Sequence, residues 1–221
     1  MTTETVPVFT GWPADAMAFL AAIAADNTAE FWDANRHRYT ASVLPPMQEM
    51  AAALLPEFGA MRIFRPYRNR RFRPETDRYR TDAGGALTSE GGTEFSMLLS
   101  ASALSVRIGH YLFDQLQLRR YREAVMGEPG NRLVTMLAEL DAAGLGLGDV
   151  PMLAGRPRGC PADHVRLPLL RLRALHVVRS WPAGEWLGTP EPLARVAGAW
   201  RMARPLADWL DEHVGPSAPR W

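Results

Sequence analysis

Between Arg62 and Arg80 the run RIFRPYRNRRFRPETDRYR holds eight of the chain's 25 basic residues, all of them arginine. Guanidinium is planar, permanently charged and presents a fork of donors matched to carboxylate or phosphate, so its concentration here is chemistry for holding an anion. Over residues 62–82 only three acids, Glu75, Asp77 and Asp82, stand against those eight arginines, while the whole chain sums to +1. The remainder is therefore net acidic and the positive charge is local. Tyr67 and Tyr79 lie within the same stretch and add rings and hydroxyl groups.

Strand alternation sharpens the reading. If 62–68 is extended, Ile63, Arg65 and Tyr67 share one face and Arg62, Phe64 and Arg68 the other. No register keeps both Ile63 and Phe64 inside while sending every guanidinium to water. At least one arginine is therefore enclosed, and an enclosed guanidinium needs an acid or an anionic ligand. Two readings stay open. One is an internal ion pair with Asp77, Asp82 or Glu94. The other is a concave pocket in which Arg65, Arg68, Arg71 and Arg80 converge with Tyr67 and Tyr79 on a small phosphate- or carboxylate-bearing molecule. Guanidinium interleaved with aromatics also suits nucleic acid. A net charge of +1 lacks the broad basic footprint of such modules, and Glu123 and Glu128 dilute Arg119, Arg120 and Arg122. The leading expectation is a small anionic partner, with turnover left open. The alternative is a non-catalytic interaction module contacting nucleic acid or an acidic protein surface.

Other chemistry is sparser. With no lysine anywhere, a Schiff-base lysine, a pyridoxal-phosphate anchor and a Walker-type phosphate lysine are excluded. Cys160, in Arg158-Gly159-Cys160-Pro161 with His164 four residues on, has the surroundings of an activated thiol, but a buried inert thiol is the default. Asp163 before His164 reads as a helix cap, and His164 is also a candidate general base beside an arginine-bound substrate. One Cys-x-x-x-His pair without a second pair gives no structural zinc site, and His110 and His176 read as hydrogen-bonded core histidines. Gly144 to Gly148 lacks the spacing of a dinucleotide fingerprint, so neither metal nor cofactor is expected. Phe31, Trp32, Asn35 and Tyr39 recur at steps of three and four. The aromatics form a core stripe, and the Asn35 amide on that face must be satisfied there or reach a site.

The elements that position these residues follow from periodicity. Met17, Phe19-Leu20 and Ile23 recur at helical spacing behind Trp12-Pro13. A second helix carries Phe31 to Tyr39 and Met47 to Leu55 continues as helix, with Asp26-Asn27-Thr28 a stop followed by a new cap and Pro45-Pro46 a break or restart. Met61 to Tyr67, 83–87, 95–100 and 104–111 have strand lengths, with Gly91-Gly92 a hairpin signal. Their short links argue antiparallel pairing. Helical period returns from Asp114 to Met126 and from Arg132 to Leu140. Residues 145–163 read as loop, 175–181 as strand and 192–214 as a closing helix, with 215–221 a loose tail. The expectation is one α+β domain over 1–221, with its core at about 9–214. The single cysteine, the lack of a basic leader and an apolar run too short to span a bilayer point to a cytoplasmic protein without membrane contact.

Several of these residues together resemble the bacterial domain-of-unknown-function family 2461, a set of conserved hypothetical proteins. The carriers are Phe19-Leu20 with Asn27, Phe31-Trp32-x-x-Asn35-x-x-x-Tyr39, Ile63-Phe64-Arg65-x-Tyr67-Arg68-x-x-Arg71-Phe72, Tyr79-Arg80-Thr81, Pro157-Arg158-Gly159 and Pro161-x-Asp163-His164. The resemblance runs from Phe9 to about Val214. It implies a curved antiparallel sheet backed by N- and C-terminal helices and carries no biochemical role. Two departures stand out. Arg80 replaces the family's lysine after the tyrosine, and Ser105-Val106-Arg107-Ile108-Gly109 replaces a glycine-rich stretch.

Overall fold

The computed structural model of the chain describes residues 8–68 and 77–217. Pro13 leads into α1 (Ala14–Ala25), whose Ala16, Phe19, Leu20 and Ile23 recur at helical steps and are all buried. In α2 (Ala29–Arg38) the Thr28 hydroxyl accepts the Phe31 N–H at 3.1 Å. Glu30 in the first turn and Arg36, His37 and Arg38 in the last complement the helix dipole. Tyr39–Val43 widens into a π-helical turn. Pro45 and Pro46 then fall in the first turn of α3 (Leu44–Phe58), where a missing N–H costs no intrahelical bond.

Six strands follow: β1 (Arg62–Ile63), β2 (Asp82–Thr88), β3 (Glu94–Ser100), β4 (Ala103–His110), β5 (Gly146–Leu147) and β6 (Leu175–Pro182). They form one open antiparallel sheet in the order β1-β2-β3-β4-β6-β5, flanked by helices. The α+β class expected from the pattern is the class observed. Register is fixed at the edges by Arg62 opposite Ala86 and by Gly146 opposite Val178. The β2–β3 hairpin closes where Gly92 adopts φ 100°, a left-handed value that favours glycine.

The strand expected over Met61 to Tyr67 is shorter than its pattern. Ladder pairing covers only Arg62 and Ile63, and then returns as a single Tyr67–Tyr79 bridge. Pro66 lies between them and has no N–H to donate, although its carbonyl accepts from Arg80 N at 2.7 Å.

The residues gather into two compact units. Among those described, the first draws on 8–68, 77–87, 96–105 and 180–198, and the second on 88–95, 106–179 and 199–217. The first is built on α1 to α3 and centres on Phe19, Trp32, Val43, Met47 and Met50. The second contains α4 (Gln115–Met126), α5 (Pro129–Ala142), α6 (Leu167–Leu170) and residues 199–213 of α7 (Glu191–His213). Asp114 and Gln117 start α4 with reciprocal side-chain-to-backbone bonds. Gln117, Tyr121 and Val125 form the buried face of α4, and Trp209 meets Tyr121 edge-on while donating Nε1 to the Pro129 carbonyl at 3.1 Å. Gly215 and Ser217, at the start of the stretch expected to be a loose tail, both hydrogen-bond to the Gln117 side chain.

Candidate functional site

The arginine–tyrosine segment is mounted on an aromatic frame. Tyr79 is 3% exposed and stacks on Trp32 with ring centres 4.7 Å apart and planes 12° from parallel. Tyr67 leans against both rings, 5.3 Å from Tyr79 and 5.5 Å from Trp32, with 57% of its surface in solvent. Asn27 fixes the backbone beneath. Its Nδ2 donates to the Tyr79 carbonyl at 3.1 Å and its Oδ1 accepts the Tyr79 N–H at 2.8 Å, so the carboxamide substitutes for a neighbouring strand. Arg68 N donates to Arg78 O at 3.0 Å beside the Tyr67–Tyr79 bridge. Sequence reading gave Asn27 only as a helix stop, because a contact 52 positions away leaves no trace in local spacing.

The guanidiniums divide on this frame. Arg80 is the enclosed one. Its Nε and Nη2 grip Asp82 Oδ1 at 2.7 and 2.5 Å, and its charge lies 4.8 Å from the centre of the Phe64 ring. The enclosed arginine expected within 62–68 is not found there: Arg62, Arg65 and Arg68 are all exposed because Ile63 and Phe64 are themselves only half-buried, and the internal ion pair falls instead to Arg80 with Asp82. Arg65 and Arg68 are exposed, and no carboxylate among the described residues forms an ion pair with either. Arg62, also exposed, rests over Phe64 at 5.4 Å. Arg71 lies outside the described residues. Burial pushes the phenols of Tyr79 and Tyr39 above the usual tyrosine range, with the nearby Arg80 charge opposing the shift at Tyr39. Both remain protonated at neutral pH. The indole N–H of Trp32 is buried without a hydrogen-bond partner among the described residues.

The remaining predicted residues are dispersed. Asn35 is half-buried and spends one amide hydrogen on the Phe31 carbonyl of its own helix at 2.9 Å. His164 belongs to the second unit. Its Nδ1 accepts the Arg166 N–H at 3.1 Å, so the imidazole caps the turn leading into α6, a role the sequence had assigned to Asp163. Cys160 is 4% exposed and its thiol donates to the Pro161 carbonyl at 3.4 Å. His110 and His176 are buried, and desolvation holds both below the ordinary histidine range.

Among the described residues no group of three or more His, Cys, Asp or Glu side chains is disposed to hold a metal ion. No described helix is long and apolar enough to cross a membrane.

Comparison with curated proteins gave no match. A family of conserved hypothetical proteins, DUF2461, matches residues 15–209, from the first turn of α1 to near the end of α7. That span takes in the aromatic frame, the arginine segment and the whole sheet, and the chain belongs to the DUF2461 family of conserved hypothetical proteins.

Proposed function

We propose that this protein binds a phosphate- or carboxylate-bearing small molecule through the arginine–tyrosine segment, with Arg65 and Arg68 as the charged contacts and Tyr67 as the ring beside them. One observation carries the reading. Arg65 and Arg68 are exposed and have no carboxylate partner among the described residues, yet they flank a tyrosine seated on the Trp32–Tyr79 stack. A guanidinium presented by an ordered backbone loses less entropy on meeting an oxyanion than one on a mobile chain. Arg80 belongs to the frame, and its bond to Asp82 ties the residue after Tyr79 to the start of β2. Arg71 and the protonated Tyr79 hydroxyl belong to the proposal as further contacts.

A second reading rests on that same exposure. Small-molecule sites are concave, whereas a solvent-facing Tyr67 between arginines suits stacking of a base and contact with phosphates along a single strand. On either reading the protein is a binding protein of the cytoplasm, a placement that its single cysteine supports.

The test is a melting-temperature series against inorganic phosphate, citrate and a single-stranded oligonucleotide. A small-anion site adds about 2.7 kcal/mol of stability at a hundredfold excess over the dissociation constant, read as a rise in melting temperature. Arg65→Ala with Arg68→Ala abolishes that rise and leaves folding intact. Oligonucleotide binding that falls steeply with salt selects the second reading. No response to any of the three overturns both.

A further inference from the structure

The second unit contains a cavity of about 420 Å³ beside α4. Gln115, Leu118, Arg119, Arg122 and Met126 reach it at steps of three and four, on the side of α4 away from the buried stripe of Gln117, Tyr121 and Val125. The loop carrying Pro157, Arg158 and Cys160 supplies the facing wall, with Leu170 from α6. Three guanidiniums line the space against one carboxylate, Glu123, which stands 4.0 Å from Arg119 with both side chains mostly in water.

Arg122 is the telling member. Its Nε donates to the Leu170 carbonyl at 3.3 Å, while its Nη2 is buried with no hydrogen-bond partner among the described residues. Arg173, Tyr121 and Cys160 bear on its charge, and no carboxylate among the described residues forms an ion pair with it. The buried Nη2 has almost no surface open to the cavity, so an oxyanion there would meet the rest of the Arg122 guanidinium and offset a charge that no ion pair among the described residues balances. Arg158, across the cavity, is exposed and has no carboxylate partner among the described residues. The other walls, Leu118, Met126, Pro157 and Leu170, are apolar and offer nothing to a bare hydrated ion.

We infer that this cavity is a second ligand site, for an amphiphilic carboxylate whose head is bound by Arg122 and Arg158 and whose hydrocarbon or aromatic body lies against Leu118, Met126 and Leu170. The size fits a compact guest. At roughly 30 Å³ for each water-sized group, the space takes on the order of a dozen non-hydrogen atoms. This inference is independent of the arginine–tyrosine segment, which contributes no residue to the lining.

Cys160 makes the test specific, since it is the chain's single cysteine and lines this cavity. Alkylation of the native protein by iodoacetamide is followed with octanoate, benzoate or inorganic phosphate present, alongside the melting temperature. Octanoate or benzoate is expected to slow alkylation several-fold and raise the melting temperature in proportion to its logarithmic concentration. Inorganic phosphate is expected to leave the alkylation rate of this thiol unchanged, whatever it does to the melting temperature through the arginine–tyrosine segment. Arg158→Ala, an exposed change that leaves folding intact, weakens the octanoate effect about tenfold, as loss of one charge-assisted contact requires. Arg122→Met weakens it at least as much. Arg65→Ala with Arg68→Ala leaves Cys160 protection unchanged, so the two proposals fail separately. The inference is overturned if neither carboxylate protects Cys160, if phosphate protects equally well, or if protection survives both Arg158→Ala and Arg122→Met.

Discussion

Arg80 and Arg122 are both half-buried guanidiniums, and they end in opposite electrostatic states. Arg80 finds the Asp82 carboxylate two residues further along the chain, at the start of β2, and an aromatic face at Phe64. Arg122 finds one carbonyl, a second guanidinium and a thiol, and keeps one nitrogen buried and, among the described residues, unpaired at a cavity wall. The first has become part of the scaffold, while the second is poised to receive an anion. Density of arginine in the sequence therefore does not measure readiness to bind. The richest run presents its described arginines to solvent or closes them on a local acid. The better enclosed receptor is assembled from arginines 36 positions apart, Arg122 and Arg158.

The contrast can be broken in several ways, beginning with the largest expected effect. Trp32→Ala removes the ring beneath Tyr79 and Tyr67 and should cost about 3–5 kcal/mol, read as a fall in the urea midpoint. A loss below about 1 kcal/mol would mean that the frame does not hold the segment. Asn27→Ala strips the Tyr79 backbone of two partners and should cost about 1–3 kcal/mol.

Acid should act on the second unit, where His110 and His176 both lie. Burial keeps their folded pKa values below the ordinary 6.5, so the fold favours the neutral rings. Their stabilising contribution is complete above about pH 6.5 and is lost as pH falls, at up to about 1.4 kcal/mol per pH unit for each ring. Melting temperatures between pH 7.5 and pH 5 should therefore fall less steeply in His110→Gln and His176→Asn than in the parent chain. Equal slopes would remove histidine from the account.

Arg80→Met leaves Asp82 half-buried without its partner and should cost about 1 kcal/mol, a figure kept small by the 22–23% side-chain exposure of the pair. Arg122→Met removes an under-satisfied charge and should leave stability within about 0.5 kcal/mol or raise it. Equal losses from the two would erase the distinction between scaffold and receptor. Smallest of all, Arg65→Ala and Arg68→Ala should each change stability by less than about 0.5 kcal/mol while abolishing the anion response proposed for the segment.

Much of the architecture was legible because it depends on short-range patterns. The 83–87, 95–100, 104–111 and 175–181 strands appear within a residue or two of their expected ends. Asp114 starts α4 because its carboxylate and the Gln117 amide satisfy local N–H groups, an interaction confined to four residues. The short pieces were missed. β5 is two residues long, α6 four, and the π-helical turn at Tyr39–Val43 has no spacing of its own to recognise. The arginine–tyrosine segment was found from composition, but which arginine would be enclosed was not, because Asp77, Asp82 and Glu94 were equivalent candidates on paper. The cavity stripe on α4 was visible only as Arg119, Arg120 and Arg122. Arg119 and Arg122 line the cavity, whereas Arg120 turns away to the Val214 carbonyl.

By itself the sequence determined the kinds of the longer elements and their order and marked where its positive charge is concentrated, since helical period, strand alternation and side-chain charge are properties of neighbouring residues. Only the tertiary structure decided that Asp82 would take Arg80, that Asn27 would hold Tyr79, and that Arg122 would share a cavity with Arg158 and Cys160. Those outcomes depend on distances between groups brought together by packing. A guanidinium's state depends on which carboxylate comes within about 4 Å of it, and the order of residues along the chain does not contain that distance.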